Sequence, residues 1–451
     1  MSLIPPSSPK KVVAVETSVV DLLYPVQHDD AGLKHNFISH LPTLAQQVGF
    51  EGIDSAPRKG DMVMVSAEAL DQMLVTFSDQ MREEGVSSFD GINAAATLSE
   101  KADAVRSVLF GDPSMHSGGS LANSFDAMVY SAVNDVPVYD GKFVCMTGAD
   151  SAGSYFGKSF EGRIATKASG RQMVSHIIPV DGDRIMLTTP SFAESPDQNF
   201  DVDLFARTLE EEKPELIMVG GYLHFASPRT LKDVIKVADD YRAAAQQPPT
   251  LAFTLANQLI AKETNLPMFR SDAGPLVIHG NTGEFRRFLD MDDEWREPFN
   301  HYFRKGKDEE LEGRDLELVK NQLVDYQNAK QWANKEAAIK AYKSAQERDV
   351  SFVVTNSVRP AFTVNAKGIM ERPTPELSVP LKNTVGAGDN FVGGYWVGKV
   401  FGRDELLSIS TGQDFSRAVI VQDEARLDRL SGFSNAKGRM SGPIAKALEL
   451  A

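Results

Sequence analysis

The chain has 451 residues, 42% of them apolar, and a formal net charge of −15, a globular composition with enough apolar material for one large domain or a core domain with an appendage. The acidity argues against nucleic-acid and anionic-membrane partners, which need a basic face, while a local basic pocket for phosphate stays open. A single cysteine, Cys145, excludes an intramolecular disulfide and a cysteine-built zinc cluster.

The start, "MSLIPPSSPKK", has no apolar run of signal-peptide length. The longest apolar stretch, around "LIMVGGYLHFA", is too short to span a bilayer, so a cytoplasmic location is the expectation. "KVVAVETSVVDLLY" from Lys11 reads as the first buried strand, with Asp21 near its end. "GKFVCMTG" from Gly141, "ELIMVGGY" from Glu215, "PTLAFTL" from Pro249, "GPLVIHG" from Gly274 and "DVSFVVT" from Asp349 read as further strands. They are continuously apolar, as a parallel sheet covered on both faces requires. Between them, Ser227 caps a helix that has Pro228 at its first position and a stripe through Leu231, Val234, Ile235 and Val237. This alternation predicts a doubly wound α/β sheet with helices on both faces.

Two stretches break the rhythm. Val174–Val180, the turn 181–183 and Arg184–Thr189 predict a β-hairpin that leaves the main sheet as a cover. The charged segment at about 290–348, with Leu316, Val319, Leu323 and Tyr326 at helical spacing, predicts a helical insertion on the surface.

Four short motifs carry candidate chemistry. In "NTVGAGDNFVGGY", Asn383 to Tyr395, small residues before a helix can aim backbone N–H groups at an anion. No Gly-Lys-Ser/Thr follows, so this is not a P-loop. Asp389 would repel a resting phosphate, but it suits a base that takes the proton of an attacking hydroxyl. An ordinary Asp N-cap is an equal reading on spacing alone. "SGGSLANS" offers Gly118 and Gly119 for close approach and Asn123 as donor and acceptor for sugar hydroxyls, or forms a tight turn into a helix. Asp21, on an otherwise apolar strand, needs donors, which two neighbouring sugar hydroxyls or a structural partner would supply. "NTGE", Asn281 to Glu284, could hold water on a Mg²⁺ ion, or start a helix with an acidic first turn.

Together these pieces resemble the ribokinase-like, phosphofructokinase-B type family of carbohydrate and nucleoside kinases. The resemblance covers about Lys11 to Leu430 and includes Gly148, Asp150 and Gly153 of a Gly-x-Asp-x-x-Gly turn. It implies a single domain over 1–451, with a small β lid whose elements fall at about 22–30, 111–120 and 170–190. It further implies transfer of the γ-phosphoryl group of Mg-ATP to a sugar CH₂OH. By position, Asp389 is then the general base, and Gly386, Ala387 and Gly388 form the anion hole. Asp21, Gly118, Gly119 and Asn123 hold sugar hydroxyls; Asn281 and Glu284 organise the Mg²⁺–phosphate end, Glu284 through water. Thr355 stands beside the nucleotide. A monovalent cation such as potassium and a homo-oligomer are left open. Within the family the chain is most similar to bacterial inosine–guanosine kinases, through Val19-Val20-Asp21 and Gly170-Arg171. The acceptor implied is a purine ribonucleoside of the inosine, guanosine or adenosine type. The alternative is ribose, fructose or a related sugar. Phe192, Tyr155 and Phe156 are candidates for a base slot. The chain departs from the family at "TNSVRP", Thr355 to Pro360, where side chains and a proline replace flexible backbone beside the nucleotide.

Overall fold

The computed structural model describes residues 8–420 except 26–30, 52, 54–55, 58–61, 93–95, 134–135, 169, 181–182, 191–199, 257–260, 262–263, 289–347, 356–359, 375–385 and 403. The 290–348 insertion apart from its last residue, the 181–182 tip of the hairpin, most of "TNSVRP" and Phe192 therefore lie outside the described residues.

The first third of the chain alternates between two sheets: β1 (Lys10–Val15), β2 (Val19–Leu23), α1 (Ala31–Gln47), β3 (Met62–Met64), α2 (Ala67–Glu83), α3 (Leu98–Phe110), β4 (Ser114–Gly118) and α4 (Ser120–Val129). β5 (Ala132–Val133) and β6 (Val136–Pro137) form a short hairpin, followed by β7 (Tyr139–Thr147), α5 (Ser151–Ser159) and β8 (Ile164–Ala168). Next come β9 (Met173–Val180), β10 (Asp183–Thr189), α6 (Val202–Glu212), β11 (Leu216–Gly220), α7 (Leu223–Ala226), α8 (Pro228–Ala244) and β12 (Thr250–Thr254). β13 (Leu276–Asn281), α9 (Thr282–Phe288), β14 (Val350–Thr355), β15 (Ala361–Asn365), β16 (Gly368–Arg372), α10 (Ala387–Val400) and α11 (Glu405–Ile420) follow.

Among the described residues, nine strands form the main sheet in the order β16-β15-β14-β13-β12-β11-β1-β7-β8. From β8 to β14 every pairing is parallel. The β14–β16 edge is antiparallel. Both faces are covered, which explains the continuously apolar strands. Val13 and Val15 of β1 face a core shared with Phe205 and Leu209 of α6 and Val234 of α8. Val12 and Ala14 face the opposite core, with Phe125 of α4 and Tyr395 of α10.

The second sheet has the order β3-β10-β9-β2-β4. Ile178, Ile185 and Leu187 on one face pack against Phe37, Phe77 and Leu109 of α1, α2 and α3. Its other face turns toward the main sheet. The hairpin β9–β10 lies here, antiparallel with Ile178 opposite Ile185.

One expectation needs correcting. The run from Lys11 is not a single strand, because the chain leaves the main sheet after Val15 and enters the second sheet at Val19. Polar residues hold the crossing. The Ser18 carbonyl accepts from Gln172 Nε2 at 2.7 Å, and Gln172 Oε1 accepts from the Gly148 N–H at 2.9 Å. Asp150 caps α5 through the Gly153 N–H and also accepts from the Gln172 N–H at 3.0 Å. The Gly-x-Asp-x-x-Gly turn therefore acts as the brace of this crossover.

Candidate active site

A cavity of about 510 Å³ opens between the two sheets, at the C-terminal ends of the parallel strands, where open α/β sheets bind ligands. Asp21, Gly119, Asn123, Asn281, Glu284, Thr355, Gly386, Gly388 and Asp389 all line it. Segments more than 360 residues apart in sequence thus meet at one place.

α10 begins at this cavity. Its N-cap is Gly386, with φ +74°, and no side chain caps it. A β-carbon in that left-handed conformation would be strained, and a capping side chain would occupy the space before the helix amides. Asp389 is therefore not the cap; it sits in the first turn of α10. Asn123 Nδ2 donates to Asp389 Oδ2 at 3.0 Å, and Ser124 Oγ donates to the Asp389 carbonyl at 2.7 Å. Asn123 thus orients the carboxylate. Ala387 is absent from the cavity wall; its carbonyl accepts the Ser416 hydroxyl.

Asp21 is 8% exposed on β2. A β-carbon on Gly118 would fall 2.1 Å from its carboxylate. Gly118 does not line the cavity either; it clears the space that Asp21 fills.

Asn281 and Glu284 form a reciprocal cap at the start of α9. The Asn281 N–H donates to Glu284 Oε2 at 2.8 Å, Asn281 Nδ2 donates to Oε1 at 2.7 Å, and the Glu284 N–H donates to Asn281 Oδ1 at 3.0 Å. Burial, helped by the charge of Asp389, pushes the Glu284 carboxyl up to about 7. Thr355 Oγ1 donates to the Gly280 carbonyl at 3.4 Å.

Two further residues, Glu16 and Tyr222, belong to the surroundings of the cavity without a motif of their own. Glu16 is fully buried and accepts from the Leu121 N–H at 2.9 Å and from Ser120 Oγ at 3.2 Å, at the start of α4. Burial, and then the charge of Asp389, raise its carboxyl to about 8. Tyr222 lines the cavity, and its hydroxyl is held far above its ordinary range by burial and by Asp389, Glu16, Asp21 and Glu284. An acid inside an apolar run was the visible signal for Glu16, and it was masked by reading the run as one strand. Of the aromatic candidates, Phe156 is fully buried in the core and Tyr155 is surface-exposed, its hydroxyl donating to the Met115 carbonyl.

The wall from the second sheet is graded by register. Asp21, Ser175, Thr188 and Met64 are paired across four strands. The Ser175 and Thr188 hydroxyls are 2.9 Å apart and hydrogen-bonded. Two residues along each strand, Leu23, Ile177, Met186 and Met62 form the next row. One row further, Arg184 stands opposite Pro179. Successive rows are about 6.7 Å apart. Apart from Met64 at the end of the first row, the wall therefore reads polar, apolar, cationic.

Among the described residues, no group of three His, Cys, Asp or Glu could hold a metal ion, and no helix is long and apolar enough to cross a membrane. Mg²⁺ commonly binds through one or two carboxylates, substrate phosphates and water. Glu284 with Asp389 nearby fits that mode.

No protein-family model matches the sequence, and no curated protein does. Solved structures do match it. A probable sugar kinase from Rhizobium etli is 17% identical with a TM-score of 0.57, the match covering 94% of this chain and 97% of that one. Adenosine kinase from Sinorhizobium meliloti is 16% identical with a TM-score of 0.55, covering 98% and 100%. Adenosine kinase from Schistosoma mansoni in complex with 2-fluoroadenosine is 12% identical with a TM-score of 0.55, covering 93% and 98%. At these identities the likeness is one of architecture, and over nearly its whole length the chain has the ribokinase-like fold of these sugar and adenosine kinases.

Proposed function

We propose that the protein transfers the γ-phosphoryl group of Mg-ATP to the 5′-hydroxyl of a purine ribonucleoside. The observation that carries this reading is the meeting of Asp389, held by Asn123, with the uncapped start of α10 in the cavity that also holds Asp21 and the Asn281–Glu284 pair. Asp389, oriented by Asn123, would accept the hydroxyl proton as the oxygen attacks phosphorus. The new O–P bond forms, the bond to the β-phosphate oxygen breaks, and ADP leaves. The first amides of α10 face the charge on the phosphoryl oxygens. Mg-ATP supplies the phosphoryl group, and Glu284 would hold its metal through water. Asp21 and the Ser175–Thr188 pair would bind ribose hydroxyls in the polar row.

The apolar row favours a nucleoside over a free sugar. A pentose bound at Asp21 would leave Ile177, Met186 and Met62 facing water, whereas a purine ring would cover them. Burying an apolar group of side-chain size stabilises by about 1.5–3 kcal/mol. A nucleoside should therefore exceed free ribose in kcat/KM by about 10- to 100-fold. Arg184, in the last row, carries only donors, which suit O6 and N7 of hypoxanthine or guanine. The amino group of adenine would set donor against donor. This supports inosine and guanosine ahead of adenosine. A coupled ADP-release screen of these nucleosides against ribose and fructose tests the reading; ribose or fructose turning over fastest would replace it with the sugar-kinase alternative.

A further inference from the structure

His279 on β13 is 1% exposed and lines the cavity floor. Trp396 Nε1 on α10 donates to His279 Nε2 at 3.1 Å. An indole N–H can only donate, so Nε2 carries the lone pair and the ring proton sits on Nδ1. Burial keeps the ring neutral, with its pKa lowered to about 3. His279 Nδ1 is nevertheless buried with no hydrogen-bond partner among the described residues. Thr254, paired with His279 on the neighbouring strand β12, also lines the cavity, and its Oγ1 is likewise buried without a partner. Buried polar atoms in native proteins are paired, so two such atoms on residues that are paired across neighbouring strands and both line the cavity point to a ligand atom.

The chemistry narrows the ligand. A neutral ring with its proton on Nδ1 can only donate from that atom, so its partner would be an acceptor oxygen and not a cation. His279 and Asn281 project from the same face of β13, about 6.7 Å apart, and Asn281 pairs with Thr355 on β14. On the proposed reading, that row is the phosphate end of the donor nucleotide. The acceptor's hydroxyls face the opposite wall, at Asp21.

We propose that His279 Nδ1–H and the Thr254 hydroxyl form a neutral subsite on the cavity floor for a phosphate oxygen of the donor nucleotide, with Trp396 as the positioning residue that fixes the histidine tautomer. The proposal rests on the kinase reading for the identity of the phosphate, and its test reads binding apart from turnover. In the full-length protein with ¹⁵N-labelled histidine, long-range ¹H–¹⁵N spectra should show His279 as the Nδ1–H tautomer. Mg-ADP or inorganic phosphate should move its Nδ1–H resonance, and inosine alone should not. No shift with either phosphate probe overturns the subsite. An equal shift with inosine alone places the acceptor there and also overturns it. A shift with Mg-ADP in a protein that phosphorylates no acceptor would sustain the subsite while the kinase reading fails.

Trp396→Phe should give a mixture of tautomers, and a ring still wholly Nδ1–H would refute the lock. His279→Phe with Trp396→Phe removes both partners of the bond, so neither is left buried alone. This double variant should lose about 10-fold or more in kcat/KM for ATP, as expected for a lost hydrogen bond to a charged group, with the acceptor KM kept. Wild-type kinetics in that variant would overturn the subsite.

Discussion

Glu16 links the stability of the fold to the site. Its carboxyl is fully buried against the start of α4, the helix that carries Asn123 and hence holds Asp389. Burial raises it from about 4.5 to about 8. In the unfolded chain the proton leaves near pH 4.5; in the folded protein it stays until about pH 8. Between these values the unfolded state binds fewer protons, so stability falls as pH rises. The contribution is complete below pH 4.5 and gone above about 8. At about 1.36 kcal/mol per pH unit this window is worth at most about 5 kcal/mol. Relaxation and water entry reduce the penalty of a buried ion, leaving about 2–4 kcal/mol. Glu16→Gln copies the shape of the neutral acid, keeps an acceptor for the Leu121 N–H and does not titrate. Urea unfolding should therefore find the variant equal to wild type within about 1 kcal/mol at pH 5 and more stable by about 2–4 kcal/mol at pH 9. Comparing the two proteins at each pH cancels other groups such as Glu284, whose raised carboxyl acts in the same direction. Parallel stability curves from pH 5 to 9 would show that Glu16 is not held neutral, and would refute the reasoning.

Asp389→Asn should lower kcat by about 10²- to 10⁴-fold, the usual contribution of a general base, with its urea midpoint little changed; near-normal turnover would remove Asp389 from that role. Gly118→Ala places a methyl group 2.1 Å from the Asp21 carboxylate, so the acceptor KM should rise while the ATP KM holds; equal rises in both would count against Asp21 as a hydroxyl ligand. Glu284 should ionise only near pH 7, so the Mg²⁺ concentration needed for half-maximal rate should fall between pH 6 and 8. Glu284→Gln should abolish that trend, and a trend that survives in the variant would assign it to another group.

Much of the main sheet was legible because its strands are buried on both faces, and an apolar run bounded by turns has few other solutions. The helix from Pro228 was readable down to its cap, since Ser227 Oγ accepts from the Arg229 N–H at 3.1 Å. The second sheet was not readable beyond its hairpin. Its strand β3 is three residues long, and β4 reads "SMHSG"; neither is a strand by propensity, and both exist because β10 and β2 offer open edges.

The site residues divide in the same way. Asp389, Asn281 and Glu284 announce themselves by local spacing, because Asp389 and Glu284 lie in the first turn of their helices and Asn281 directly precedes one. Asn123 and Gly118 were visible as types, but their geometry was not. One braces Asp389 from 266 residues away, and the other makes room for Asp21 on a neighbouring strand. Such pairings depend on register and have no signature along the chain. The cavity wall makes the same point. Polar Asp21, Ser175 and Thr188 form one row and apolar Ile177, Met186 and Met62 the next only because three strand pairings hold a fixed register. A one-residue slip of β9 would turn Ser175 and Ile177 away from the cavity and His176 and Ile178 into it. On the proposed reading, any discrimination between a sugar and a nucleoside would reside in strand register, and the apolar packing of Ile178, Ile185 and Leu187 against α1, α2 and α3 fixes that register from behind.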